Sequence, residues 1–165
     1  MARAIGVDLG SKRVGVASSD ATRTLASPVT VLERRGSRTA DHKALAAIIE
    51  EYEADIVVVG LPLSLNGGES HAAKLVRDEV AQMTAALAVP IVLHDERFTT
   101  ATAHASMMER KMKADARRRV VDKVAAAVML QGWLDMQAYR REAELKTAEK
   151  AEFETAEQAR QAAQQ

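Results

Sequence analysis

The run Ile56-Val57-Val58-Val59, entered at Asp55 and closed by Gly60 and Pro62, constrains the fold more than any other stretch. Four consecutive β-branched aliphatics leave no polar face for water, so the segment reads as a strand covered on both sides, the habit of a parallel sheet under helices. The flanks agree. Leu45, Ile48 and Ile49 form one stripe of a helix over 41–52, and a second helix over 70–87 starts at Ser70, a good N-cap, and leads to a strand over 90–94. Ahead of this alternation, Ile5, Val7 and Leu9 recur at strand period. Gly10-Ser11-Lys12 then turns the chain into a second strand over 13–18, and a third covers 28–32, an antiparallel meander. Two further helices, over 99–111 and 118–139, complete the order βββαβαβαα. A chain of 165 residues suits one such domain.

No apolar run approaches the roughly 18 residues of a membrane span, and Met1-Ala2-Arg3 leads into a strand instead of a signal peptide. A cytoplasmic protein is expected. With no cysteine, thiolate ligation and a cysteine nucleophile are excluded, so any metal must sit on oxygen or imidazole. None of His42, His71, His94 and His104 has a close ligand partner in sequence, and none is assigned to metal.

Net charge is zero but unevenly spread. Residues 142–165 hold six Glu against Lys146, Lys150 and Arg160, which leaves residues 1–141 with 20 Lys and Arg against 17 Asp and Glu. We therefore divide the chain into a domain over 1–141 and an acidic, Ala/Glu/Gln-rich extension over 142–165. With only Leu145 and Phe153 large and apolar, the extension should be a partly frayed, solvated helix. Cations gather at Arg110, Lys111, Lys113, Arg117, Arg118, Arg119 and Lys123, which reads either as a phosphate-meeting surface or as a solvated helix end.

Three acidic positions stand out. Asp8 ends the first strand on the side of Ala4 and Gly6, and flanking Gly6 and Gly10 leave space for another backbone, a metal or a phosphate. The same segment would also serve as a strand end entering a turn. Asp95-Glu96-Arg97 follows a buried strand at the ligand-binding edge of an open α/β sheet, where it is either a site or a capping cluster at a helix start. Asp122 precedes Ala125 and Ala126 on one helix face small enough to approach the sheet, although an Asp near a helix start also has a purely electrostatic reason to be there. Acids on separated elements are what a hard divalent ion takes alongside substrate phosphates.

In chain order, Gly6-Val7-Asp8-Leu9-Gly10 with Arg13-Val14-Gly15-Val16-Ala17, Val59-Gly60-Leu61-Pro62-Leu63 with Asn66-Gly67, Asp95-Glu96-Arg97-Phe98-Thr99-Thr100, and Val121-Asp122 with Ala125-Ala126 and Leu130 resemble the motifs of the YqgF family, also called RuvX. The resemblance covers about residues 4–134. It implies a ribonuclease H-like α/β fold, a mixed five-stranded sheet with three antiparallel and then two parallel strands flanked by helices. It also implies that Asp8, Glu96 and Asp122 are metal-binding catalytic acids. Members are described as nucleases of the pre-16S rRNA 5′ end and, by kinship with RuvC, as Holliday junction resolvases. The acidic extension lies outside the family core.

The leading expectation is a nuclease dependent on Mg²⁺ or Mn²⁺, with Arg13, Arg97, Arg117, Arg118 and Arg119 gripping phosphates. Aromatic residues make up only 3% of the chain, so recognition should rest on phosphate contacts and shape more than on base stacking. RNA is the expected substrate and the expected state a monomer or weak homodimer, because no dimer stripe is evident and a four-way junction would call for two opposed sites. Two other readings compete. Asp8-Leu9-Gly10 also resembles the first phosphate loop of actin-like ATPases, but those close two domains around a nucleotide and this length holds one. The other is a nucleic-acid-binding module without turnover, against which three intact acids weigh.

Overall fold

The structure is a computed structural model that describes residues 2–63, 70–95 and 114–162, with 114–121, 123 and 158–162 described by backbone alone. Met1–Leu134 is one compact unit and Asp135–Gln165 a second. The described elements are β1 (Arg3–Leu9), β2 (Arg13–Ser19), β3 (Ala26–Glu33), α1 (Arg38–Glu51), β4 (Ala54–Leu61), α2 (His71–Ala86), β5 (Ile91–Asp95) and α3 (Ala114–Ala162). The helix expected over 99–111 lies outside the described residues.

The five strands form one sheet in the order β3-β2-β1-β4-β5. β1 pairs antiparallel with β2, which pairs antiparallel with β3, whereas β4 is parallel to both β1 and β5. The switch follows from the connections. A short turn joins β1 to β2, while helices carry the chain back before β4 and β5. β3 begins at Ala26, two residues before the expected start, and carries Pro28 opposite Ala17 where the register shifts. An edge strand with an irregularity at that point tolerates a residue without an N–H.

Period-two alternation divides β1 between two layers. Ile5 and Val7 join Val57, Val59, Leu45 and Ile49 of α1, and Val76 and Met83 of α2 in a single core. Ile5, Val57 and Val59 are wholly buried, and each such side chain contributes about 1.5–3 kcal/mol. The opposite face packs against α3. A Cβ on Gly6 would stand 2.7 Å from Leu130 Cβ and 3.1 Å from the Ala126 carbonyl oxygen, so the glycine lets the helix rest directly on the sheet. Gln131 locks this placement by accepting from Ala26 N at 2.9 Å and donating to the Thr24 carbonyl at 3.0 Å.

Ser70 caps α2 as expected, accepting from Ala73 N at 3.0 Å. α1 starts at Arg38 under a Ser37 cap, earlier than its apolar stripe indicates. In the second unit α3 runs on as helix to Ala162. Its Ala, Glu, Gln and Lys content favours helix without tertiary support, and Lys146 pairs with Glu142 at 2.7 Å one turn away. Leu145 and Phe153 are 64% and 68% exposed.

Candidate active site

β1, β4 and β5 run parallel, so Asp8 and Asp95 finish at one edge of the sheet. Asp8 is paired across β2 with Gly15, and continuing the β1–β4 register past Val7 and Val59 brings it alongside Gly60. Glycine on both neighbouring strands leaves the carboxylate without side-chain neighbours along the sheet. The turn beyond it is tight: Gly10 N donates to the Asp8 carbonyl at 3.2 Å, and a Cβ on Gly10 would lie 2.6 Å from Arg13 O. The chain reverses here and returns Arg13 to the face that carries Asp8.

α3 supplies the second acid. Asp122 sits one turn before Ala126 and two before Leu130, the residues resting on Gly6, and this stripe carries it to Asp8. The proximity is electrostatically visible. Burial pushes the Asp8 carboxyl above its ordinary value, and the neighbouring charge of Asp122 pushes it in the same direction. Arg13 Nη1 stands 3.7 Å from Asp122 Oδ2, while Arg13 Nε donates to Glu33 Oε1 at 3.2 Å. Sequence reasoning misses Glu33; its signal is the β2–β3 register, in which it faces Arg13.

Asp8, Asp122 and Arg13 are therefore brought together. Glu96 and Arg97 lie outside the described residues, one and two positions beyond the end of β5. Arg117, Arg118 and Arg119 belong to the first turns of α3, described by backbone alone. Of the histidines, His94 is 2% exposed with Nε2 unbonded, and burial lowers its pKa against the opposing charge of Asp95. It aligns with Gly60 on β5.

Two carboxylates, one of them largely shielded from water, repel each other unless a cation stands between them. The donor set is all oxygen, which fits a hard divalent cation such as Mg²⁺ or Mn²⁺. Among the described residues no group of three or more His, Asp or Glu is assembled for a metal. The third carboxylate expected from sequence, Glu96, is outside them.

A mixed sheet in this order, antiparallel then parallel, with helices on both faces, defines a ribonuclease H-like α/β protein. Thermus thermophilus RuvC in complex with a Holliday junction substrate has a similar fold, with a TM-score of 0.53 at 11% identity over 83% of this chain and 97% of that one. A second Thermus thermophilus RuvC structure gives 0.51 over 82% and 96%. Residues 2–136 match the family model RuvX, described as Holliday junction resolvase. The chain belongs to the RuvX family. It is 41% identical over 135 residues to a Roseiflexus protein named "Putative pre-16S rRNA nuclease", covering 82% of this chain and 95% of that one. Proteins of the same name from Anaeromyxobacter dehalogenans and Mycolicibacterium smegmatis are 43% and 44% identical over 136 residues, covering 98% and 80% of their lengths and 82% and 81% of this chain.

Proposed function

We propose that this chain is a divalent-metal-dependent nuclease that hydrolyses phosphodiester bonds and trims the 5′ end of pre-16S rRNA in the cytoplasm. The observation that carries this reading is the Asp8–Asp122 carboxylate pair at the end of β1, with glycines on both strands beside Asp8. The names of the relatives supply the RNA substrate. Asp8, Glu96 and Asp122 are the residues that would hold Mg²⁺ or Mn²⁺. When bound, the cation supplies an activated water at neutral pH and charge stabilisation on the phosphate oxygens.

The protein's own residues orient and offset charge. Asp8, fixed by a strand and a tight turn, holds one side of the site. Asp122, carried on a helix seated against Gly6, holds the other. Arg13 reduces the repulsion between Asp122 and an incoming phosphate. Arg97 and the cluster Arg117, Arg118 and Arg119 grip the backbone of the nucleic acid on either side. We place this machinery in residues 1–141, acting as a monomer or weak homodimer, with the acidic extension over 142–165 dispensable for chemistry.

The test is cleavage of end-labelled single-stranded RNA, single-stranded DNA and a four-way junction side by side, with Mg²⁺, Mn²⁺ or EDTA. Metal-dependent cutting of RNA in preference to the others supports the proposal. Symmetric nicking of the junction alone would replace it with a resolvase, and no cleavage of any substrate would leave a binding module.

A further inference from the structure

The hairpin that carries Asp8 and Arg13 has a second side. Leu9 points away from Asp8 into the α1/α2 layer, and with the Gly10-Ser11-Lys12 turn it forms one wall of a cleft of about 730 Å³. The opposite walls are the start of α1 and the first two turns of α2, with Pro62 at the end of β4. Its volume lies within the range of about 300–1,000 Å³ typical of small-ligand sites. The Gly10–Arg13 turn stands between this cleft and the acid pair: Arg13 faces Asp122, and Lys12 lines the cleft.

The lining has both parts of a nucleotide site. Leu75, 47% exposed on α2, and Val76 give an apolar wall of the kind that accepts a base. Lys12 and Arg38 stand at the polar side, and among the described residues neither has an ion-pair partner. The acids of the cleft are already engaged. Glu79 takes Arg34 in a bidentate pair at 2.9 and 3.0 Å, Asp41 lies 3.7 Å from the same guanidinium, and Glu33 is bonded to Arg13. Lys12 and Arg38 are thus the lining cations outside these pairs, and both stand near the N-terminus of the 14-residue helix α1.

We propose that this cleft seats a nucleotide flanking the scissile one in a single-stranded substrate, with its base against Leu75 and Val76 and its phosphate between Lys12 and Arg38. This rests on the nuclease reading above and adds the element that gives preference for an unpaired strand, because a base inside a duplex is not free to enter.

The experiment uses the full chain in EDTA, where no turnover occurs, with fluorescein-labelled single-stranded RNA followed by anisotropy. Losing two phosphate contacts on a single strand should lower the log–log salt slope by about 1.4 and, at 0.1 M salt, weaken binding by about 20-fold in Lys12→Ala/Arg38→Ala. In Leu75→Trp, the indole introduced on the cleft wall should lose emission when unlabelled RNA of the same sequence binds, and should keep it when the two cations are also removed. Unchanged affinity and slope in the double variant, RNA binding that leaves the indole emission of Leu75→Trp unaltered, or no binding by the wild type would each overturn the proposal. These readouts need no cleavage. Absence of metal-dependent cutting by the wild type would instead overturn the nuclease reading.

Discussion

Arg13 Nη1 lies 3.7 Å from Asp122 Oδ2, so the first residue of β2 and a residue near the start of α3 are held by opposite charge at the edge where β1 ends in Asp8. Arg13 is also bonded to Glu33, so one guanidinium serves two carboxylates.

Burial and the neighbouring Asp122 make Asp8 costly to ionise. Its folded-state pKa lies above its ordinary value of 3.8, first from burial and then from Asp122. The folded protein therefore holds this proton more tightly than the unfolded chain. There is no penalty below pH 3.8; stability falls as pH rises from there through the raised folded value, and the full penalty persists above it. Asp8→Asn should accordingly resist urea better than wild type at pH 7 without metal, with the advantage shrinking toward pH 4. Added Mn²⁺ should raise the wild-type midpoint and leave that of Asp8→Asn unchanged. A pH-independent difference would remove the charge explanation.

Gly6→Ala tests how the helix places Asp122. The added methyl has Leu130 Cβ 2.7 Å away and backbone at 3.1 Å, so α3 must lift from the sheet. Overpacking of this kind costs about 1–3 kcal/mol. A shift of about 1 Å in Asp122 should reduce metal-dependent cleavage by about 100-fold, more than the lost stability explains. Leu130→Gly in the same chain, which removes the Cβ that the new methyl meets, should recover part of the activity. Gly6→Ala with normal kinetics would mean that this contact does not position the site.

Several parts of this arrangement are readable in the sequence. The apolar run over 56–59 identifies the parallel strand, alternation about Ile5, Val7 and Leu9 identifies β1, and small residues after Asp122 indicate a helix able to approach the sheet. The space at Gly6 is open to three readings in the sequence, and the backbone of α3 is what fills it. The start of α1 is hidden because Arg38, Thr39 and Ala40 place no large apolar residue in its first turn. The pair of Arg34 and Glu79, 45 residues apart, has no local signature, since only the packing of α2 beside α1 brings them together.

That pair supports the layer behind the site. Side-chain exposure is 14% for Arg34 and 6% for Glu79, and Arg34 Nε is buried without a bond. Glu79→Ala would leave the guanidinium with only the more distant Asp41, a loss of about 3–5 kcal/mol by analogy with broken buried pairs. Replacing both residues by Leu should cost much less. Equal losses in the single and double variants, measured by urea unfolding, would show that the charges are not coupled.

Removal of residues 142–165 should leave a folded, active enzyme. Leu145 and Phe153, the two large apolar side chains in the segment, are both mostly exposed. The segment carries six Glu against three cations, so its deletion should tighten RNA binding at low salt and have little effect at high salt. Loss of folded protein on truncation, followed by circular dichroism, would assign the extension a structural role.

We propose the carboxylates of Asp8 and Asp122 as ligands of the cation on which phosphodiester hydrolysis would depend, and the whole reading rests on that assignment. Its most direct test is the single-turnover cleavage rate of labelled single-stranded RNA as a function of Mn²⁺ concentration, for the wild type and for Asp8→Asn shown to be folded. The wild-type rate should rise from zero to a plateau, while Asp8→Asn should stay at the metal-free baseline throughout. A variant that follows the wild-type curve would contradict the assignment.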